Sequence, residues 1–182
     1  MVSLQHVELQ PFESQDIPQL CAWLPTERDL LLWGGPSYSH PITVASVTAA
    51  LQRAGQSGDT HRIHRVWCPA QAAVIGHAEL VLINRYHRHV RLARLLIGPP
   101  ELRGQGYGTA MVRALLDVAF SELEVRRVEL EVYALNVGAQ RVYESLGFIR
   151  EGVRRDAVRC GEEWWDSILM AKLSDDPHAS VY

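Results

Sequence analysis

No stretch of this 182-residue chain stays apolar for the roughly 20 residues that a membrane-spanning helix requires, so no helical membrane anchor is expected. There is no block of like charge either. The 18 basic and 21 acidic residues are interspersed, for a formal charge of -3. That balance speaks against duplex nucleic acid as the main partner, because such proteins gather basic residues on one face. Cysteine is scarce: Cys21, Cys68 and Cys160 are far apart and odd in number, and no C-x-x-C pair occurs. Neither a disulfide framework nor a cysteine-rich zinc site is expected. Met1 to His6 lacks the basic and then apolar pattern of a signal peptide, and there are no internal repeats or low-complexity segments. Together these absences predict a soluble, cytoplasmic protein with reduced thiols.

What is present is enough to build a core. Hydrophobic residues make up 47% of the chain, and its length suits one domain, expected over residues 1–173 with a loose tail over 174–182. Val2 to Pro11 alternates like a strand. Helical stripes follow around Ile17 to Leu24, Arg28 to Trp33 and Thr43 to Ala54, stopped by Pro25, Gly34-Gly35-Pro36 and Gly55. Three strand runs come next: His61 to Cys68, Ala73 to Asn84 and Val90 to Ile97, with Pro69-Ala70-Gln71 as the first hairpin loop. A long stripe from Thr109 to Leu123 predicts a helix, and Arg127 to Tyr133 a strand. Asn136 is placed to cap a short helix that ends at Gly147, and Phe148 to Arg159 and Glu163 to Leu173 read as closing strands. The order predicts an α+β fold with one mixed, mostly antiparallel central sheet of about seven strands flanked by helices.

The feature with chemistry in it is Arg103-Gly104-Gln105-Gly106-Tyr107-Gly108, between a strand and a helix. A glycine-rich turn opening a helix presents unpaired N–H groups at the positive end of the helix dipole, and absent side chains let a phosphate come close. A P-loop is excluded because no lysine is near. A dinucleotide fingerprint fails because Thr109 stands where its last glycine belongs, and Glu122 and Glu124 fall at the end of a helix rather than of a strand. The remaining pattern is Gln/Arg-x-x-Gly-x-Gly/Ala, met by Arg103, Gly106 and Gly108. A tight turn with no ligand is the plain alternative.

From about Ala73 to Leu173 the chain resembles the GNAT superfamily of N-acetyltransferases. The likeness rests on the strand ending at Ile97, the R-G-Q-G-Y-G loop, and N-V-G-A-Q-R-V-Y-E-S-L-G-F from Asn136 to Phe148, in the family's order. The resemblance implies acetyl-CoA as co-substrate, without a metal. It implies direct attack by a primary amine of a small molecule or a peptide N-terminus. The implied CoA-binding residues are Leu95, Leu96, Ile97, Arg103, Gly104, Gln105, Gly106, Tyr107, Gly108, Thr109, Asn136 and Tyr143. Tyr143 is the implied proton donor to the departing thiolate; as a bare pattern it also fits a core residue. Glu131 resembles the base of the ribosomal-protein acetyltransferase branch and Glu79 is its rival; each also fits a solvated strand face, and an ordered water is the third option. The close histidine pairs, His61 with His64 and His87 with His89, have no cysteine or paired carboxylate beside them, so no metal site is expected. Trp33, Tyr38, His40, Glu163, Trp164 and Trp165 are the candidates for the acceptor side, and His77 is a cleft or core residue. Expected partners are acetyl-CoA and an amine acceptor, with no nucleic acid or membrane and with a homodimer as the assembly open to it. A CoA-binding module without catalysis and a transferase for a longer acyl-CoA remain alternatives.

Overall fold

A computed structural model describes residues 5–56 and 58–176. Period-two alternation makes the strands. In β5 (Arg127–Tyr133), Val128, Leu130 and Val132 are buried while the charged residues between them face outward. The other strands are β1 (Glu8–Pro11), β2 (Arg62–Cys68), β3 (Ala73–Asn84), β4 (His89–Ile97), β6 (Ile149–Cys160) and β7 (Glu163–Leu173). They form one seven-stranded sheet in the order β1-β2-β3-β4-β5-β7-β6. Every pairing is antiparallel except β4 with β5, so the sheet is mixed, as expected.

Helices cover both faces. On one face, α4 (Tyr107–Asp117) buries Met111, Val112, Leu115 and Leu116, and α5 (Val137–Ser145) adds Tyr143. These pack with Val66, Leu80, Leu92 and Leu130 of the sheet into the main core. On the other face, α1 (Ile17–Ala22), α2 (Glu27–Gly34) and α3 (Val44–Gln56) gather Ile17, Leu20, Leu30, Trp33 and Val47 into a second cluster, with Leu96 against it. Thr26 caps α2 by accepting from Asp29 N–H.

The parallel pairing of β4 with β5 is short. It joins His89–Leu92 to Arg127–Leu130 and stops. Beyond it, β4 stays with β3 alone, and Glu131 to Tyr133 pair with β7 alone. The two strands part like a V. A bulge marks the parting: Glu79 pairs with Ala93 but His77 with Leu96, so β4 holds one extra residue. Arg94 lies in that bulge with a φ of 52°, a left-handed backbone in a non-glycine residue.

Several boundaries differ from the sequence reading. The first strand starts at Glu8, and residues 2–4 of the predicted strand lie outside the described part. Gly55 does not close α3, which runs on to Gln56. The predicted helix to Leu123 is α-helical only to Asp117; Val118–Glu122 then widens into a π turn, with Leu123 N–H donating to Val118 O at 3.0 Å. Ser174 N–H bonds Arg126 O at 2.9 Å, which ties down the start of the predicted tail; residues 177–182 are outside the description.

Close approach of β3 to β4 beside the parting depends on Gly76. A Cβ there would come within 2.3 Å of Leu96 O, a backbone atom that cannot swing away. We expect Gly76→Ala to lower stability by roughly 1–3 kcal/mol, the range for overpacking. A urea-unfolding midpoint equal to that of the parent protein would contradict this.

Candidate active site

Where β4 and β5 part, a cavity of about 800 Å³ opens. Leu95, Leu96 and Ile97 line one wall. Their backbone groups on the β5 side have no ladder partner there, since β4 and β5 are paired only through Leu92 and Leu130. A chain carrying amides can complete that ladder.

The glycine loop forms the next wall. Gly104 and Gly106 have φ of 73° and 92°, values that L side chains rarely adopt, and Gly106 is the residue that opens α4. The first helical bond is Ala110 N–H to Gly106 O at 3.0 Å, so the N–H groups of Tyr107, Gly108 and Thr109 have no partner within the helix. Gly104, Gln105, Gly106, Gly108 and Thr109 all line the cavity. Tyr107, expected with them, is not part of the cavity lining; its side chain is buried in the main core. Arg103 lines the cavity too. Its guanidinium reaches back to the end of β4, with Nε donating to Ile97 O at 3.0 Å and Nη2 to Gly98 O at 2.9 Å. It therefore brings a positive charge and also fixes the loop to the strand.

The third wall is α5. Asn136 Oδ1 accepts from Ala139 N–H at 3.2 Å, capping the helix. Buried Gln140 donates from Nε2 to Ala134 O at 2.8 Å, tying the helix to the end of β5. So held, Tyr143 is 9% exposed, its ring edge-on to Phe148 at 5.8 Å. None of the described hydrogen bonds uses its hydroxyl, and the residue lines the cavity. Burial pushes the phenol up to about 12. It therefore stays protonated at neutral pH and can donate.

The last wall comes from Trp23 and Leu24 in the turn after α1 and from Asp29, Leu32 and Trp33 of α2. Trp33 is shared with a second, smaller cavity of about 290 Å³ on the far side of β4. Glu79 lies there, 4% exposed, accepting from His77 Nε2 at 3.0 Å and from Arg94 Nη1. Burial alone would raise its pKa. The His77 hydrogen bond and the charges of His77 and Arg94 outweigh that and leave it lowered, so Glu79 is a carboxylate. Trp33 Nε1–H donates to Arg94 O at 2.9 Å.

The structure thus brings Leu95–Ile97, the loop, Asn136 and Tyr143 into one cavity, and separates the two glutamates from it. Glu79 is in the smaller cavity. Glu131 lines neither; it accepts from Arg154 Nη1 at 2.9 Å and from Ser167 Oγ. Among the acceptor-side candidates, Trp33 and Tyr38 line cavities. His40 contacts Pro25 O, Glu163 pairs with Arg28, Trp165 is buried and Trp164 is exposed. Sequence reasoning missed Asp29 and Gln140. Asp29 shows in the sequence only as a residue of a helix start. Gln140 leaves a sharper trace, a lone polar residue in the apolar stripe of α5.

A family profile described as acetyltransferase (GNAT) domain matches residues 6–149. A probable N-acetyltransferase of Bacillus subtilis is 40% identical over 73 residues, 40% of each chain. A spermidine N(1)-acetyltransferase of Vibrio cholerae is 35% identical over 83 residues, 46% of this chain and 47% of that one. The matched stretch thus spans less than half of these curated relatives. Across the whole fold, the crystal structure of spermidine N-acetyltransferase from Vibrio cholerae with CoA and spermine superposes with a TM-score of 0.80. It is 23% identical and covers 94% of this chain and 97% of its own. With the parted strands, the loop and the family profile in agreement over most of its length, the chain belongs to the GNAT acetyltransferase domain family.

Proposed function

We propose that the protein moves the acetyl group of acetyl-CoA onto a primary amine of a small molecule or a peptide N-terminus. The observation that carries this is that one cavity holds the unpaired edge of β4, the open glycine loop and the Tyr143 phenol. The loop N–H groups and Arg103 suit a pyrophosphate, and the β4 edge suits the amides of a pantetheine arm. The amine nitrogen attacks the thioester carbon, a tetrahedral centre forms, and the C–S bond breaks. Tyr143 gives its hydroxyl proton to the departing thiolate.

The proton leaving the ammonium has no donor–acceptor pair ready in the same cavity. Glu131 and Glu79, the two expected bases, are engaged elsewhere by Arg154 and Arg94. Asp29 is the carboxylate on the cavity wall, and the cavity is open to water. In this reading water takes the proton, with Asp29 favouring its path. The assembly belongs to the proposal as well: a homodimer that covers the outer edge of β6, where Ile149 and Val153 are each 60% exposed. Sedimentation should then give the mass of two chains; the mass of one would end this part.

Thiol release from acetyl-CoA with a panel of amines and peptides tests the activity. Tyr143→Phe should lose roughly 10²-fold in kcat or more, the usual contribution of a placed acid, while CoA still binds. Because burial holds the phenol above its ordinary 10.0, the parent kcat should show no alkaline fall below pH 10 that Tyr143→Phe abolishes. Equal turnover in the two proteins would remove Tyr143 from the chemistry. Tight CoA binding with no release for any acceptor would instead mean a binding module.

Arg103→Ala should weaken CoA binding by about 1–3 kcal/mol, the loss of charge-assisted hydrogen bonds. Calorimetry with CoA reads it directly, and an unaltered dissociation constant would count against the loop assignment.

A further inference from the structure

Among the described residues, Trp33 alone lines both the larger cavity and the smaller one. Its indole is fixed on three sides. Nε1–H donates to Arg94 O at 2.9 Å, the ring meets His77 edge-on at 5.4 Å, and Tyr38 lies tilted against it at 5.3 Å. Tyr38 reaches that place because residue 34 is glycine; a Cβ there would stand 2.9 Å from its ring. At 6% exposure, the indole cannot swing aside without losing a hydrogen bond and two ring contacts. It is a fixed wall.

The fold also places that wall along the donor. The glycine loop follows β4, and Arg103 ties it to the carbonyls of Ile97 and Gly98. A pyrophosphate on the loop therefore sits at the Ile97 end of the free edge, and an arm bonded along that edge runs back towards Leu95. Its thioester comes to the Leu95 end, next in sequence to the Arg94 carbonyl that holds Trp33. Across the indole lies the smaller cavity of 290 Å³, about ten waters at liquid density. Leu20, Val47, Ala50, Leu51 and Ile63 form its apolar side. Its carboxylate, Glu79, is already engaged by His77 and Arg94. Leu96, on the wall of the larger cavity, packs into the same cluster as Leu20, Val47 and Trp33. A short aliphatic chain fits the apolar side, and the indole stands between that space and the thioester.

We propose that Trp33 sets the length of the acyl group. The indole closes the thioester end of the donor site, so that acetyl-CoA fits and a longer acyl-CoA meets the ring; without the indole, the smaller cavity receives the chain. For the position of the thioester this rests on the donor site proposed above. The selection comes from a clash with the wrong donor and not from added contact with the right one.

Calorimetry with acetyl-, butyryl- and hexanoyl-CoA tests this without any acceptor. The parent protein should bind acetyl-CoA roughly tenfold or more tighter than hexanoyl-CoA, the range for surplus methylenes at a closed pocket. Trp33→Leu should remove most of that gap. Filling the smaller cavity again, by adding Ala50→Phe to Trp33→Leu, should restore it. Equal affinities in the parent, an unchanged gap in Trp33→Leu, or a gap that stays closed after Ala50→Phe would each overturn the proposal. Trp33 is a core residue, so circular dichroism should accompany each variant. If Trp33→Leu does not fold, Trp33→Phe keeps a ring in the core and should still move the butyryl-CoA to acetyl-CoA ratio in the same direction; an unmoved ratio there is equally fatal. The thiol-release assay with the amine panel should give the same order in kcat/KM. If no amine accepts from any acyl-CoA, the transfer reading fails while the calorimetric ratios still decide the role of Trp33. No binding of CoA itself would sink both.

Discussion

The parallel pairing of β4 with β5 ends after four residues, and the site depends on that ending. Had the ladder continued to Ile97, the β4 edge would be closed and the cavity filled by sheet. The parting leaves carbonyls and amides that cannot be left dry without cost, and the fold meets several with side chains from elsewhere. Trp33 takes the Arg94 carbonyl, while Arg103 takes those of Ile97 and Gly98. Arg103 is thus part of the strand end as much as of the loop. A glycine loop would sit loosely if nothing joined it to the sheet; here a bidentate guanidinium makes the join.

Two acidic groups near this opening are both buried, with opposite results. Tyr143 has no charged neighbour to oppose desolvation, so its phenol rises to about 12 and keeps its proton. Glu79 is desolvated too, yet His77 and Arg94 more than compensate, and it stays ionised. The first arrangement suits a donor that must remain neutral until a thiolate forms. The second does not suit a base, since a carboxylate held below its usual range by two partners gives up affinity for a proton. What Glu79 does supply is an anchor for Arg94, which keeps the bulge residue pointing away from the larger cavity.

Local rules made much of this legible. Strand alternation put Val128, Leu130 and Val132 on the core face, and the glycine loop opened its helix where spacing placed it. Asn136 and Tyr143 are seven residues apart, about two helical turns, so a cap at one fixes the azimuth of the other. Glu131 illustrates the limit. Alternation put it on the right face of β5 but could not say which side chains cross from neighbouring strands. Arg154 and Ser167 arrive from β6 and β7, whose order is a property of the sheet rather than of any segment. The end of α4 failed for another reason: apolar spacing is much the same for an α-helix and for a π turn that continues it.

The contact that separates the two cavities was illegible because it is long-range. Trp33 and Arg94 are 61 residues apart, and neither carries a local mark of the hydrogen bond between them. Trp33 reads as the end of a helical stripe and an acceptor-side candidate, and Arg94 as an ordinary charge in an apolar strand. Their meeting turns a bulge into a partition between two cavities, with Leu95 on one side and the Arg94 guanidinium on the other. The helix that reaches the parted strands therefore shapes the wall between the two cavities. The donor loop moves little in this respect, since its N–H groups are fixed by the helix they begin. A change at Trp33 would release the Arg94 carbonyl at the bulge while the loop N–H groups, which depend on the start of α4, keep their geometry.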